Sequence, residues 1–293
     1  MVFSIPDLGK KRRQFREDLK SEKTLRFVGS FSPLISCLIE RQGFEGIYVS
    51  GAVISSDLAV PDIELITLSE LAGRGSSLVQ NQTLPGLVDA DTGFGGTLNV
   101  ARTVQKLEQA GFCGLHIEDQ KSPKRCGHLN NKKLINIKEM QKKIEVALKA
   151  KTDSSFLIAA RTDARGVEGV EAAIKRAKAY VEAGAEAIFP EALETKEEFQ
   201  QLRQSLKVPL IANMTEFGKS ELLSATAFQQ MGYNIVLYPV TSWRLALKAV
   251  AKGLKKLHTE GHQKELLDEM LTRKELYHLL EYDEYAKWDK KIY

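Results

Sequence analysis

The chain has 293 residues, 43% of them apolar and 27% charged, with a formal net charge of +4. This is ordinary composition for a soluble globular protein, and the length fits two average domains or one large α/β barrel. No apolar run approaches the ~20 residues needed to cross a bilayer. Three cysteines (Cys37, Cys113, Cys126) argue against a disulfide framework, and no CxxC or Cys/His spacing suggests structural zinc.

The chain starts "MVFSIPDLGKKRRQFRED", where charge begins at Asp7 and no apolar signal core forms. The expected location is the cytoplasm, or an organelle matrix if a leader has been processed away. Residues 1–24 are expected to be an N-terminal helical segment. Its basic run "GKKRR" (9–13) reads as a solvated helix face, because Glu17, Asp18 and Glu22 follow and no aromatic residues interleave. Neither nucleic acid nor a membrane is expected as a partner.

Short apolar runs then alternate with amphipathic stretches. The runs are "RFVGS" (26–30), "GIYVS" (46–50), "PGLVDAD" (85–91), "CGLHIED" (113–119), "FLIAART" (156–162), "AIFPE" (187–191), "PLIANM" (209–214) and "NIVLYP" (234–239). Helical patterns lie between them, as at 97–111 and 166–184, and Gly111, Gly184 and Gly232 sit where helix C-terminal caps fall. Eight strand–helix units in about 230 residues predict a (β/α)8 TIM-type barrel rather than a doubly wound sheet. The whole chain, 1–293, is expected to be one barrel domain. Helical sequence after the eighth strand exceeds what a barrel needs, and the surplus, 254–293, is expected to pack against another subunit.

The predicted strands end in Ser50, Asp89 and Asp91, Glu118, Arg161 with Asp163, Glu191, and Asn213. Six consecutive polar endings predict a polar cluster at one rim, where barrels of this kind carry their active sites. In "VDADTGFGG" (88–96), Asp89 and Asp91 are two apart on a strand and so share a face. Adjacent carboxylates repel unless a cation or proton separates them. With Glu118 nearby and no clustered histidine, a hard ion with oxygen ligands is expected, Mg²⁺ before Zn²⁺; helix caps and surface ion pairs are the alternative. Gly93, Gly95 and Gly96 fit a tight loop, since neither GxGxxG nor GKS/GKT spacing is present.

"KSPKRCGHLNN" (121–131) surrounds Cys126 with Lys121, Lys124, Arg125 and His128. Nearby cations favour the thiolate and lower a thiol's pKa, which would suit a nucleophile or a proton donor. Pro123, Gly127, Asn130 and Asn131 make the segment a loop able to close as a lid, against the alternative of a plain exposed basic loop. His116 alternates with Glu118 and reads as a hydrogen-bonded core residue. His258 and His262 read as a solvated helix face. Arg161, Arg244 and Arg273 are candidates to fork onto a carboxylate, Arg161 foremost.

The segments "YVSGAVIS", "VPD", "VDADTGFGG", "GLHIEDQ", "KRCGH", "ARTDA", "FPEA", "NMTEFG" and "LYPVTSWR" occur here in the order seen in the isocitrate lyase / phosphoenolpyruvate mutase superfamily. The chain resembles that superfamily over nearly its whole length, most of all its 2-methylisocitrate lyase family. "KRCGH" is the discriminating motif. Isocitrate-cleaving relatives carry Lys-Lys-Cys-Gly-His and are longer, and the mutases, phosphonopyruvate hydrolases and oxaloacetate decarboxylases lack it. The resemblance implies a homotetrameric barrel with exchanged terminal helices, and Mg²⁺ held by Asp89 and Asp91 with Asp62 and Glu118 around the ion through water. It also implies a lid at Cys126 and Gly127 and a backbone cradle at Ser50, Gly51 and Ala52. Arg161, Glu191, Asn213, Met214, Thr215, Arg244 and Arg273 would hold the other carboxylates, the last in a neighbour's site. The family has Ser-Gly-Gly-Gly where this chain has "SGAV", and Ala52 and Val53 restrict the backbone more than glycine does.

The activity implied is retro-aldol cleavage of a tricarboxylate, 2-methylisocitrate, to pyruvate and succinate in propionate breakdown by the methylcitrate cycle. Cys126 would be the general acid, with Tyr48, Lys124 and Glu118 as candidate bases. Competing readings are an isocitrate lyase, a lyase for a related substrate such as 2,3-dimethylmalate, a cysteine hydrolase, and a non-catalytic carboxylate-binding barrel. Isocitrate differs by one methyl, worth about 1–3 kcal/mol, with Phe189, Leu237 and Pro239 as candidate walls around it.

Overall fold

A computed structural model describes residues 6–129 and 131–292. The strands are β1 (Leu25–Gly29), β2 (Gly46–Val49), β3 (Gly86–Asp89), β4 (Gly114–Glu118), β5 (Leu157–Thr162), β6 (Ala187–Pro190), β7 (Ile211–Asn213) and β8 (Ile235–Tyr238). All pair in parallel in the order β6-β5-β4-β3-β2-β1-β8-β7. A parallel bridge between Ile188 and Leu210, with the Ile188 amide donating to the Pro209 carbonyl at 3.0 Å, brings β6 against β7 and closes the barrel. Each strand falls within one residue of a predicted apolar run, because strands buried on both faces read as continuous Val, Ile and Leu.

Register stacks the interior in layers. Leu25 pairs with Ile235, and Phe27 with Leu237. One level higher Tyr48 pairs with Leu87, then Asp89 with His116, and at the top Glu118 pairs with Arg161. The interior therefore grades from aliphatic at the base to ionisable at the C-terminal ends of the strands. The helix Leu8–Asp18 seals the base: buried Phe15 sits 5.6 Å from the Phe27 ring. A second, larger apolar layer lies between strands and outer helices.

Two expectations about helices are corrected. The predicted helix at 166–184 is two, Arg165–Glu168 and Val170–Glu182, because Gly169 adopts a φ of 92° that interrupts the first. "GKKRR" is a solvated face only at Lys10 and Arg13. Lys11 and Arg12 are buried, and Lys11 Nζ donates to the Val79 and Gln82 carbonyls at 3.1 and 3.0 Å. Arg12 donates to the Phe112 and Glu108 carbonyls at 2.9 and 2.6 Å, so the pair clamps the N-terminal helix across the base.

The helix Thr241–Glu260 runs through the expected boundary at 254 and buries none of its 20 residues. A 3-10 helix, Lys264–Glu269, and the helices Arg273–Leu279 and Tyr282–Ile292 follow. Leu245, Val250, Leu254, Leu267 and Leu271 are exposed along this region. No helix among the described residues is long and apolar enough to cross a membrane.

At the β1–β8 seam a Cβ on Gly29 would overlap the Pro239 carbonyl, which is backbone and cannot turn away. Gly29→Ala should therefore lower the free energy of unfolding by about 3 kcal/mol, as overpacking does. Urea titration checks it, and an unchanged midpoint would mean the seam is looser than described.

Candidate active site

The floor of the barrel mouth is aromatic and uncharged. The Tyr48 hydroxyl lies 2.8 Å from His116 Nε2, and Phe189 meets the His116 ring edge-on at 4.9 Å. Burial drops the His116 pKa to about 4, so the ring is neutral, a hydrogen-bonded core residue as expected. Its Nδ1 faces Asp89 Oδ1 at 3.8 Å. A neutral ring that accepts from Tyr48 at Nε2 carries its proton on Nδ1, towards that carboxylate.

Above the floor six acidic side chains meet three permanent cations. The acids are Asp62, Asp89, Asp91, Glu118, Asp163 and Glu191, and the cations are Lys124, Arg161 and Lys132. Arg161, buried at the end of β5, grips Asp163 through Nε at 2.9 Å and Nη2 at 3.1 Å. It also approaches Glu118 and Glu191, each at 3.3 Å. The Asn213 amide donates to both Glu191 oxygens at 3.2 and 3.3 Å. Burial opposes ionisation of Glu191, but Arg161 and His128 outweigh it and hold the group well below the usual range.

Asp89 ends β3. Asp91 lies just beyond, at a φ of 46°, a left-handed conformation aspartate tolerates better than most residues. The two carboxylates nonetheless face one space, for a Cβ at Gly51 would come within 3.2 Å of Asp91 and 3.4 Å of Asp89. Burial raises the Asp91 pKa to about 7, with Lys124 opposing and Asp89 and Asp62 adding to the rise. Burial likewise pushes Glu118 well up. Both Glu118 oxygens are buried without a hydrogen bond, and Asp91 Oδ1 meets only the Lys124 ammonium, at 2.8 Å and off hydrogen-bond alignment.

Among the described residues no three His, Cys, Asp or Glu side chains form a ready cage for an ion. Mg²⁺ needs none, since it binds through one or two carboxylates and keeps several waters. An excess of buried carboxylate over cation, with oxygens that accept no hydrogen bond, fits such an ion, and Asp89, Asp91, Asp62 and Glu118 are the residues that would hold it or its waters.

The loop 121–132 folds down onto this cluster. Gln120 pairs with Leu134, and the Lys121 amide donates to the Lys133 carbonyl at 2.7 Å, which joins the loop's two legs. Lys124 Nζ inserts between Asp62, at 2.5 Å, and Asp91. His128 Nε2 meets Glu191 at 2.8 Å, and its Nδ1 accepts from the Lys219 amide at 3.0 Å. Gly127 is pressed so closely that a Cβ would overlap Glu191 Cγ and come within 2.5 Å of Arg161 Nη2. Asn130, read as part of this loop, lies outside the described residues.

The expectation that the loop's cations activate Cys126 is corrected. Those cations are spent on carboxylates, and Lys121 and Arg125 are exposed. Burial raises the Cys126 pKa above its ordinary 9.0, with Glu191 and Asp62 adding to the rise against the His128 amide and Arg161. Cys126 is therefore a half-buried thiol beside the cluster. Two candidate bases also keep their protons. Burial pushes the Tyr48 hydroxyl well up. Burial would lower Lys124, but Asp91, Glu118 and Asp62 more than reverse it.

Ser50 precedes the helix Gly51–Asp57, so Gly51, Ala52 and Val53 are helical and no glycine-only conformation is required of the "SGAV" residues. Met214 is buried, its sulfur accepting from the Leu223 amide, and Thr215 is half-buried beside it. Arg244 is not brought into the cluster. It is exposed, donates to the Glu216 carbonyl at 3.1 Å and stacks over Phe217 at 5.0 Å. Arg273 is exposed at the start of its helix in the C-terminal extension, and this chain's own fold does not carry it to the rim. His258 and His262 are exposed, as a solvated face would be.

Three contributors escaped the sequence reading. Glu64 accepts from Thr92, Ser122 and the Lys124 amide and so anchors the loop's first leg. Buried Asp119 accepts from Tyr180 at 2.6 Å, from Thr162 at 2.8 Å and from the Asp163 amide at 2.9 Å, which orients Asp163. Lys132 pairs with Asp163 at 3.1 Å. Its one signal in the sequence is spacing: it stands four residues after His128, as His128 does after Lys124.

Residues 15–258 match the phosphoenolpyruvate phosphomutase family. The chain is 49% identical over 288 residues to a probable 2-methylisocitrate lyase 1 of Corynebacterium glutamicum, covering 98% of this chain and 94% of that protein. It is 49% identical over 277 residues to a 2-methylisocitrate lyase of Aeropyrum pernix, covering 94% and 89%. A crystal structure of phosphonopyruvate hydrolase in complex with oxalate and Mg²⁺ superimposes with a TM-score of 0.87 at 30% identity, covering 97% of this chain and 99% of that one.

The state of the thiol gives a prediction independent of any relative. Alkylation of Cys126 by iodoacetamide, followed by peptide mass, should still accelerate as pH rises past 9.0. A plateau below about pH 8.5 would mean an activated thiolate after all.

Proposed function

The chain belongs to the phosphoenolpyruvate phosphomutase family, and from that membership we propose that it is a carbon–carbon lyase cleaving 2-methylisocitrate to pyruvate and succinate. The observation that carries the reading is the half-buried Cys126 thiol on a loop pressed against Arg161 and Glu191, beside buried carboxylates whose oxygens lack hydrogen bonds.

In this reading Asp89 and Asp91, with Asp62 and Glu118 around them, hold Mg²⁺. When bound, the ion supplies a Lewis acid that makes the substrate hydroxyl more acidic. Glu118 takes the hydroxyl proton, as the candidate base left when Tyr48 and Lys124 keep theirs; it does so as a carboxylate, the form that burial opposes and that Arg161 and Lys124 favour. The bond between the hydroxyl-bearing carbon and its neighbour breaks, its electron pair staying with the succinate half. Arg161, Asn213 and Thr215 stabilise the charge that develops there. Cys126 delivers its proton to that carbon, and the net transfer is one proton from hydroxyl to carbon. A high thiol pKa costs nothing in a donor that must hold its proton until the bond breaks. Ser50, Gly51 and Ala52 receive the keto-acid end. Phe189 and Leu237, buried under the rim, and Pro239 form the wall around the extra methyl.

We also propose that the protein is a homo-oligomer, a tetramer by resemblance, in which the terminal helices are exchanged. The support is the helix Thr241–Glu260, none of whose residues is buried, and the exposed Leu245, Val250, Leu254 and Leu267, apolar side chains that a covering surface would remove from water. Such an exchange would take Arg273 to a neighbouring rim.

Cys126→Ser should lower turnover at least about 100-fold while leaving Mg²⁺ affinity and the circular dichroism spectrum unchanged; retained turnover would remove the thiol from the mechanism. Asp91→Ala should raise the Mg²⁺ concentration needed for half-maximal activity, and an unaltered Mg²⁺ titration would displace Asp91 from the ion. In an assay for pyruvate, glyoxylate and succinate, kcat/KM for 2-methylisocitrate should exceed that for isocitrate by about 10–200-fold. The reverse preference would make the protein an isocitrate lyase.

A further inference from the structure

Lys132 is buried and stands outside every role assigned so far. Its ammonium does two things at once. It donates to the Gly127 carbonyl, one residue from Cys126, and it pairs with Asp163 at 3.1 Å. Asp163 is also the carboxylate that Arg161 grips with two hydrogen bonds, and its amide is held by Asp119 at 2.9 Å. A continuous chain of charge-assisted contacts thus runs from Asp119 and Asp163 through Lys132 to the backbone beside the thiol.

The other two fasteners of the loop act elsewhere. Lys124 lies on the loop's incoming side, in the metal-side carboxylates, and His128 reaches Glu191 by its ring. Lys132 alone of the three binds the loop's main chain next to Cys126, from the outgoing leg. Backbone held at Gly127 fixes where the preceding residue's side chain emerges, whereas a contact made only by a flexible side chain does not.

We propose that Lys132 is a positioning residue for Cys126, holding the Gly127 side of the thiol as the Gln120 side chain holds the Arg125 main chain on the other: by bridging the Gly127 carbonyl and Asp163 it ties the thiol's place to the carboxylate that orients Arg161. The sulfur that must reach the succinate carbon and the guanidinium that must hold a succinate carboxylate are then referenced to one anchor. The inference rests on the lyase reading for its purpose, but its geometry can be tested without turnover.

The test uses the full-length protein, with iodoacetamide modification of each cysteine followed by peptide mass. Lys132→Met removes the charge at similar length and leaves Asp163 paired with Arg161. It should raise the alkylation rate at Cys126 at least fivefold and leave buried Cys113 protected. With 2-methylisocitrate it should lower kcat tenfold or more while KM changes less than threefold. Lys132→Arg, which keeps a donor in place, should recover part of both. Gly166→Ala is the milder second variant, because a Cβ there would lie 3.3 Å from Lys132 Nζ and crowd it by a few tenths of an ångström with the charge intact; it should shift the same readouts in the same direction by less. Alkylation of Cys126 unchanged in a variant whose Cys113 stays protected would overturn the proposal. If Cys113 becomes reactive in Lys132→Met, that variant has lost its fold and Gly166→Ala decides. Unmodified protein that fails to cleave 2-methylisocitrate would refute the lyase reading, and the alkylation rates would still judge the tether.

Discussion

Burying a crowd of carboxylates is the problem the upper half of this barrel has to solve. Parallel strands deliver Asp89, Glu118, Asp163 and Glu191 to one rim, and at such distances like charges raise one another's pKa unless cations intervene. The strands supply only Arg161. The remaining fixed cations, Lys124 and Lys132, come from the loop after β4 and pair with carboxylates following β3 and β5, while the loop's His128 ring meets the one following β6. Removing one partner from such a buried pair leaves an uncompensated charge, and that penalty exceeds what the pair contributes when whole. The closed position of the loop is thus an electrostatic consequence of the strand ends beneath it. Carboxylates still outnumber cations there, and the oxygens of Asp91 and Glu118 that accept no hydrogen bond are where a divalent ion or its waters fit.

The same arrangement sets the character of the thiol. A cysteine amid lysines, an arginine and a histidine reads as an activated thiolate, but only if the cations face it. Here Lys124 and His128 face carboxylates and Lys121 and Arg125 face solvent, and for Cys126 burial, Glu191 and Asp62 outweigh the His128 amide and Arg161 and favour the neutral form. For a nucleophile that would be a defect. For a proton donor of the kind proposed above, it keeps the proton in place until the charge appears. Lys124 and His128, on either side of Cys126, fasten the loop, and the chemistry of the sulfur follows from where they fasten it.

The lower half of the molecule is held by other means. Phe15 plugs an aliphatic base, and Lys11 and Arg12 clamp the plugging helix to backbone carbonyls around it. Rigid packing below and paired charge above divide the barrel into a part that supports and a part that reacts, as barrels of this architecture do.

The order of strands and helices, the barrel and the rim of polar strand ends were legible in the sequence, because buried parallel strands are short, continuous apolar runs and their last residues stand out against them. Asp89, Asp91, Glu118, Arg161, Glu191 and Asn213 announced themselves in this way, and Cys126 did so by its setting. What the sequence did not contain was who pairs with whom. Lys124 meets Asp62 across 62 residues, Lys11 meets Val79 across 68, and Lys132 is an unremarked lysine until the fold sets Asp163 beside it. A pattern of residue types shows which groups are available along the chain. Whether a cation lowers a thiol's pKa or binds a carboxylate instead, and whether a basic helix faces water or a barrel floor, depends on distances of a few ångströms between segments far apart in the chain, and only the tertiary structure supplies those.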